Sequence, residues 1–131
     1  MMQDIFKAYD VRGKYPSEIS ESVVREVVAV VVCDLSKNNK KKNIFVIAHD
    51  ARLSSPALYE SAIKGAQSIK GAIIITVGLA TTPMFNFLVN YFKAIGGVMV
   101  TASHNPPECN GLKFVKEKAI PLSGTDIYEL L

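Results

Sequence analysis

The sequence predicts an α/β fold of three layers, α/β/α, with helices on both faces of a mostly parallel four-stranded sheet that ends in one antiparallel edge strand. Three observations carry that prediction. Apolar runs of strand length alternate with longer segments of helical period. Two hydroxyl-proline pairs, Ser55-Pro56 and Thr82-Pro83, stand where helices open after strand ends. The last two apolar runs lie too close together for a parallel crossover.

The elements follow in order. Residues 17–37 begin with Ser and Glu, continue through Val23, Val24, Val27, Val28, Val30 and Val31, and end on Lys37. The β-branched content favours a strand, but the length and the acid-first, base-last charge order favour a helix. Residues 43–50 are a short apolar run with a polar end, the pattern of a buried strand. Ser55 reads as an N-cap with proline at the first helical position, and Leu58, Ala62, Ala66 and Ile69 recur at helical spacing until Gly71. Residues 72–77 read as a second, fully buried strand. Thr82-Pro83 repeats the cap device, opening a helix over 84–94 with Phe85, Leu88, Val89 and Phe92 on its apolar side. Gly96-Gly97 turns the chain into a strand over 98–102. Residues 112–115 form a short strand about ten residues later, so it runs antiparallel at an edge. A helix starting at Asp126 is cut off at Leu131, from which a longer chain is expected.

At 131 residues the chain is expected to form a single domain, residues 1–131. About half of it is hydrophobic and about a fifth charged, the balance of a folded protein and not of a disordered one. The net charge of +3 is modest. The basic run at residues 37–42 has no aromatic interleaving and reads as a solvated connection, so no nucleic-acid partner is expected. Cys33 and Cys109 fit no metal or CxxC spacing and read as free thiols of a cytosolic protein. Residues 1–11 carry charges and no apolar signal core, and the longest apolar stretch, residues 27–33, is far too short to cross a bilayer. The expectation is a cytoplasmic protein with no membrane partner.

The run Thr101-Ala102-Ser103-His104-Asn105-Pro106-Pro107 follows an apolar strand and precedes Asn110-Gly111-Leu112-Lys113. In open α/β sheets ligands bind outside the carboxyl ends of the strands. An acyl-transfer reading of Ser103 fails, because the flanking glycines of a nucleophile elbow are missing and His104 is too close in sequence to abstract the serine proton. No P-loop or GxGxxG run supports nucleotide binding. Phosphate fits better, since Arg12, Arg52, Lys113 and His104 supply cations near strand ends, guanidinium as a bidentate fork and lysine as a point charge or general acid/base. Each residue also admits a structural reading: Ser103 as a cap, Arg12-Gly13 as a turn, Asn110-Gly111 as a hairpin turn, Lys113 and Arg52 as solvent-facing charges. A non-enzymatic α/β anion-binding module is therefore the competing function, and a flavodoxin-like electron carrier a third.

Four stretches resemble the N-terminal domain of the α-D-phosphohexomutases, the phosphomannomutases and phosphoglucomutases among them. They are Phe6-Lys7-Ala8-Tyr9-Asp10-Val11-Arg12-Gly13, Asp50-Ala51-Arg52-Leu53-Ser54-Ser55-Pro56, Gly78-Leu79-Ala80-Thr81-Thr82-Pro83, and residues 97–107 with Asn110-Gly111-Leu112-Lys113. They occur in the family's order and cover nearly the whole chain. The resemblance implies that Ser103 is the catalytic phosphoserine, donating its phosphoryl group to a hexose phosphate and regaining one from a bisphosphosugar, the compound that also serves as activator. It implies further that Arg12 contacts the phosphoserine and the intermediate, and that Lys113 is the general acid/base. His104 and Asn105 shape the loop and hold phosphate, with Tyr9 and Arg52 in support.

The sequence departs from the family's pattern in two respects. His49 stands where the family often has Arg or Gly. The Asp-Gly-Asp-x-Asp motif that completes a Mg²⁺ site with the Ser103 phosphate is missing, as are the sugar-reading and phosphate-binding loops of the third and fourth domains. One ligand is far short of the octahedral set Mg²⁺ takes. The resemblance thus implies one domain of a four-domain enzyme, with mannose or glucose 1- and 6-phosphates and the enzyme's other domains as partners, and a fragment catalytically silent alone.

Overall fold

The computed structural model describes residues 2–37 and 42–131. Its elements are β1 (Val11–Lys14), α1 (Glu21–Lys37), β2 (Ile44–His49), α2 (Ser55–Gln67), β3 (Ile73–Leu79), α3 (Thr82–Tyr91), β4 (Gly96–Val100), β5 (Cys109–Lys116), β6 (Ile120–Pro121) and α4 (Gly124–Leu130). Two 3₁₀ turns, Met2–Ile5 and Glu117–Ala119, complete them. The basic run foreseen as a solvated connection lies, at residues 38–41, outside the described residues.

The α/β class is as the sequence predicts. β3, β2 and β4 are parallel, and antiparallel β5 follows β4, in the sheet order β1-β5-β4-β2-β3 with β6 on β5. The sheet is larger than expected, six strands against four, because two short strands attach to β5. β5 runs antiparallel as foreseen, but β1 pairs along its far side, so it is interior and not an edge. β1 and β3 are the ends of that order, and its place at an end is why the side chains of β3 are half-exposed and not fully buried as expected. Asn110 and Gly111 lie within β5 and Arg12 and Gly13 within β1, so neither pair forms a turn.

Helix ends shift by a few residues for identifiable reasons. α1 starts at Glu21 and not at 17, because the Ser20 hydroxyl accepts the Val23 N–H at 3.4 Å and caps it there. Thr81, not Thr82, caps α3, accepting the Met84 N–H at 3.3 Å. The Ser123 hydroxyl accepts the Asp126 N–H at 3.0 Å and starts α4. α2 is preceded by Ser54, which makes no side-chain cap, while the hydroxyl of Ser55 turns elsewhere.

One core lies on each face of the sheet. Val24, Val27, Val28, Val31 and Val32 form the buried stripe of α1, at the spacing of one helix face. They pack with Leu58, Ala62 and Ala66 of α2, Ile127 of α4, and Phe45, Ile47, Val98, Val100, Leu112 and Phe114 of the sheet. Phe85 and Val89 of α3 close the other face over Val46, Ala48, Met99 and Val115. Gly96 and Gly97 open β4 where a turn was expected, and a Cβ on Gly97 would stand 2.6 Å from the Val46 carbonyl oxygen and 2.9 Å from the Phe85 ring. Alternate residues of β5 therefore face opposite cores: Leu112 and Phe114 toward α1 and α2, Lys113 and Val115 toward α3. Both cysteines are free thiols. Among the described residues no helix is long and apolar enough to cross a membrane.

Candidate active site

The parallel strands β2, β3 and β4 deliver three loops to one edge of the sheet: residues 50–54, 80–81 and 101–108. β5 returns from that same edge, and the backbone N–H of Thr101 still reaches the Gly111 carbonyl at 2.9 Å. Ser103 stands just past this last ladder bond, exposed, with φ at 54° in the left-handed region. An L-residue there carries a steric cost of about 1–2 kcal/mol. Its backbone N–H donates to Thr101 Oγ1 at 3.0 Å, an unusual pose fixed by a specific partner.

Thr101 is itself held by Asp50, whose Oδ2 accepts the Thr101 hydroxyl at 2.6 Å. The other carboxylate oxygen accepts the Ser55 hydroxyl at 2.5 Å and the Arg52 backbone N–H at 3.1 Å. Burial pushes the Asp50 carboxyl up, but the hydrogen bonds from Ser55, Thr101 and the Arg52 N–H, with the Arg52 charge, outweigh it and hold the carboxyl below the ordinary aspartate value. Buried Asn110 completes the frame: its amide donates to the hydroxyls of Ser54 at 2.7 Å and Ser55 at 3.0 Å, and its oxygen accepts the Gly111 N–H at 2.8 Å.

Arg52 is turned away from solvent, its side chain 13% exposed. One terminal nitrogen donates to the carbonyls of Pro106 at 2.7 Å and Cys109 at 3.1 Å, and the other to those of Ser103 and Asn105, both at 2.7 Å. Nε lies 3.4 Å from Asp50 Oδ2. Of the five N–H donors of a guanidinium, the four terminal ones are hydrogen-bonded to backbone carbonyls, and Nε stands in an ion pair with Asp50.

Arg12 and Lys113 are placed differently. Arg12 pairs with Gly111 across β1 and β5, and Lys113 lies two residues farther along β5, opposite Met99. Cross-strand partners share a face, so both cations project on the α3 side of the sheet. A Cβ on Gly111 would stand 2.3 Å from the Val11 carbonyl oxygen and 2.8 Å from Arg12 Cβ, so glycine is what lets β1 close over this position. Arg12 Nε lies 3.7 Å from the buried carboxylate of Asp10 and opens, with Asn105, Lys7 and Lys14, onto a cavity of about 300 Å³. Lys113 shares a second cavity, of about 230 Å³, with Tyr9, Thr82 and Asn86, and Tyr9 is 82% exposed beside it. His104 is exposed on the loop next to Ser103. The amide of Asn105 donates back to the Ala102 carbonyl at 2.7 Å, which tightens the turn after Ser103.

Sequence reasoning missed Asp50, Ser55, Thr101 and Asn110 as a working unit. For three of them the signal is burial: the described buried polar side chains are Asp10, Ser55, Ser61, Thr101 and Asn110, and Ser55, Thr101 and Asn110 meet at this edge. Buried polar groups are expensive unless paired, so their concentration here marks where the fold spends hydrogen bonds on holding a loop. The donor set does not fit a complete Mg²⁺ site. Among the described residues no group of three or more His, Cys, Asp or Glu is placed to hold a metal, and Asp50 is engaged by Ser55, Thr101 and Arg52.

The site thus consists of an exposed hydroxyl on a braced loop of an α/β domain, with an arginine and a lysine on one face of the adjoining strands. Comparison with known proteins makes the class specific. The model of phosphoglucomutase/phosphomannomutase, alpha/beta/alpha domain I, matches residues 3–130, and the chain belongs to that family. It is 42% identical over 118 residues to the phosphohexose mutases of Xanthomonas campestris pv. campestris (strain B100), covering 90% of this chain and 25% of the relative. It is 37% identical over 123 residues to a phosphomannomutase of Escherichia coli, covering 94% and 26%. A crystal structure of a phosphoglucomutase/phosphomannomutase family protein from Burkholderia thailandensis superposes with a TM-score of 0.84 at 29% identity, covering 98% of this chain and 29% of that one. The chain thus spans about a quarter of the length of the curated relatives it matches.

Proposed function

We propose that the chain supplies the phosphoserine-bearing domain of a phosphohexomutase that interconverts hexose 1- and 6-phosphates, of mannose or glucose, through a bisphosphosugar. The observation that carries this reading is the left-handed, exposed Ser103 at the end of β4, braced from behind and followed across the sheet by Arg12 and Lys113. In the forward step the bond between phosphorus and Ser103 Oγ breaks as a sugar hydroxyl oxygen bonds to phosphorus. The hydroxyl proton leaves and Oγ gains one, with Lys113 as the acid/base that exchanges them. Arg12, a fork on an adjoining strand, meets the dispersed negative charge of the transferred group, which positioning and cations stabilise most. Tyr9 stands at the rim of the Lys113 cavity, where it would contact the sugar. His104 and Asn105 shape the loop around the phosphate.

A Mg²⁺ ion held through the Ser103 phosphate would need further ligands from elsewhere, and the sugar-reading contacts likewise, so the 131-residue chain is proposed to be silent alone. The uncharged face of α3, with Met84, Phe87 and Tyr91 exposed at helical spacing, offers an apolar surface to such further domains. In the cell the enzyme would work in the cytoplasm.

The test replaces the matching segment of the 42%-identical Xanthomonas relative with this chain and follows hexose 1-phosphate isomerisation together with the intact mass. Turnover and a phosphate adduct lost on Ser103→Ala are expected. A folded chimera with neither overturns the proposal, and clear turnover by the isolated 131-residue chain overturns its silence alone.

A further inference from the structure

Arg52 has the residue type of a phosphate ligand and the geometry of a clamp. Its four terminal N–H groups converge on the carbonyls of Ser103, Asn105, Pro106 and Cys109, residues 51 to 57 positions away in sequence. Its Nε faces Asp50, and through Asp50 and the Thr101 hydroxyl the same cluster reaches the Ser103 N–H. The backbone of Ser103 is therefore gripped on both sides, its carbonyl by Arg52 and its N–H by Thr101.

We propose that Arg52 and Asp50 are positioning residues that fix the left-handed pose of Ser103, and that Arg52 contacts neither the phosphoserine nor the sugar phosphate. The inference rests on the phosphoserine reading for its kinetic consequence and on hydrogen-bond geometry alone for its structural one. A fork is essential to the clamp, because two nitrogens must each serve two carbonyls in one plane. A lysine keeps the charge, yet its ammonium is a single compact group and does not span the four acceptors. Misplacing a nucleophile by about 1 Å costs about 100-fold in rate. Loss of the clamp is thus felt in the transfer step and not in the affinity for substrate.

Three variants test this: Arg52→Lys, Arg52→Met and Thr101→Val. Amide hydrogen exchange over residues 103–109 is measured on the 131-residue chain, and kcat and KM for hexose 1-phosphate on the Xanthomonas chimera. Faster loop exchange is expected in all three, with global unfolding of each variant followed separately to show that the fold persists. Both Arg52 variants should lose about 100-fold in kcat with KM within about twofold of the parent, and lysine should give no rescue. A lysine variant that keeps kcat while KM rises identifies Arg52 as a direct phosphate ligand and overturns the proposal. Unchanged loop exchange in Arg52→Met also overturns it. A parent chimera without phosphate on Ser103 removes the phosphoserine reading instead, and loop exchange then decides the clamp by itself.

Discussion

Replacing Gly111 with alanine tests how tightly the β1–β5 contact that carries Arg12 is built. The new Cβ would stand 2.3 Å from the Val11 carbonyl oxygen and 2.8 Å from Arg12 Cβ, and the nearest obstacle is backbone, which does not rotate away. Relief requires β1 to move off β5 at the Arg12 pair, while the adjacent pair, Val11 and Leu112, remains anchored in the core. Overpacking of this kind costs about 2–3 kcal/mol. With an unfolding entropy of about 2.1 cal/mol/K per residue, each kcal/mol lowers the Tm of a chain this long by about 3.6 °C, so a fall of about 7–11 °C is expected. Thermal unfolding by circular dichroism reads the shift, and amide exchange at Val11–Lys14 shows whether the loss is at β1. A Tm within about 1 °C of the parent, with β1 amides still protected, would refute the reasoning.

Three further outcomes follow from the site's hydrogen bonds and the α3 cap. The Asp50 carboxylate is held below its ordinary range, so its contribution to stability is fully present above the unfolded value of about 3.9 and is lost as pH falls through the lower folded value. Its carboxyl carbon should titrate by NMR below that ordinary value, and a midpoint at or above it contradicts the hydrogen-bond account. Asn110→Ala removes the amide that donates to the Ser54 and Ser55 hydroxyl oxygens, leaving Ser55 its bond to Asp50, and strands the Gly111 N–H, for a loss of about 2–3 kcal/mol in urea unfolding. A loss below about 0.5 kcal/mol would show that the hydroxyls re-pair at no cost. Thr81→Ala removes the α3 cap and should cost about 1 kcal/mol, with fraying confined to the first turn of that helix by amide exchange.

What was legible in the sequence depended on local signals. The helix after Ser55-Pro56 and the strands expected at 43–50 and 98–102, and found at 44–49 and 96–100, declare themselves through caps, periodicity and apolar runs, and the short link after the Ser103 loop imposes an antiparallel β5. β1 does not declare itself. Four residues, Val-Arg-Gly-Lys, carry no strand pattern, and they become a strand only because β5 offers them a partner. From that one omission came the misplacing of β5 at the edge. At the site, the cations were visible as residue types, but their roles were not. Arg12 and Arg52 look alike in sequence, and what separates them is that Arg52's acceptors are backbone carbonyls more than fifty residues away, which leave no trace in residue identity. Asp50 was hidden for the same reason, since its partners Ser55 and Thr101 come together only after β2 and β4 pair.

The choice of serine at 103 has an energetic consequence that separates stability from function. At φ near 54° glycine has no steric penalty, whereas any residue with a Cβ carries about 1–2 kcal/mol. Glycine in turn loses about 0.4–1 kcal/mol more conformational entropy on folding than alanine. The steric term is the larger, so Ser103→Gly should be more stable than Ser103→Ala by about 1 kcal/mol, the reverse of their order in a helix. Both lack Oγ, so both should be equally unable to carry a phosphoryl group. The hydroxyl is kept where the backbone prefers glycine, and the bonds from Arg52 to the Ser103 carbonyl and from the Ser103 N–H to Thr101 offset the cost. Urea unfolding of the two variants decides the matter: an alanine variant as stable as the glycine one, or more so, would mean that the loop relaxes out of the left-handed region once the side chain is small, and that the clamp does not hold Ser103 there.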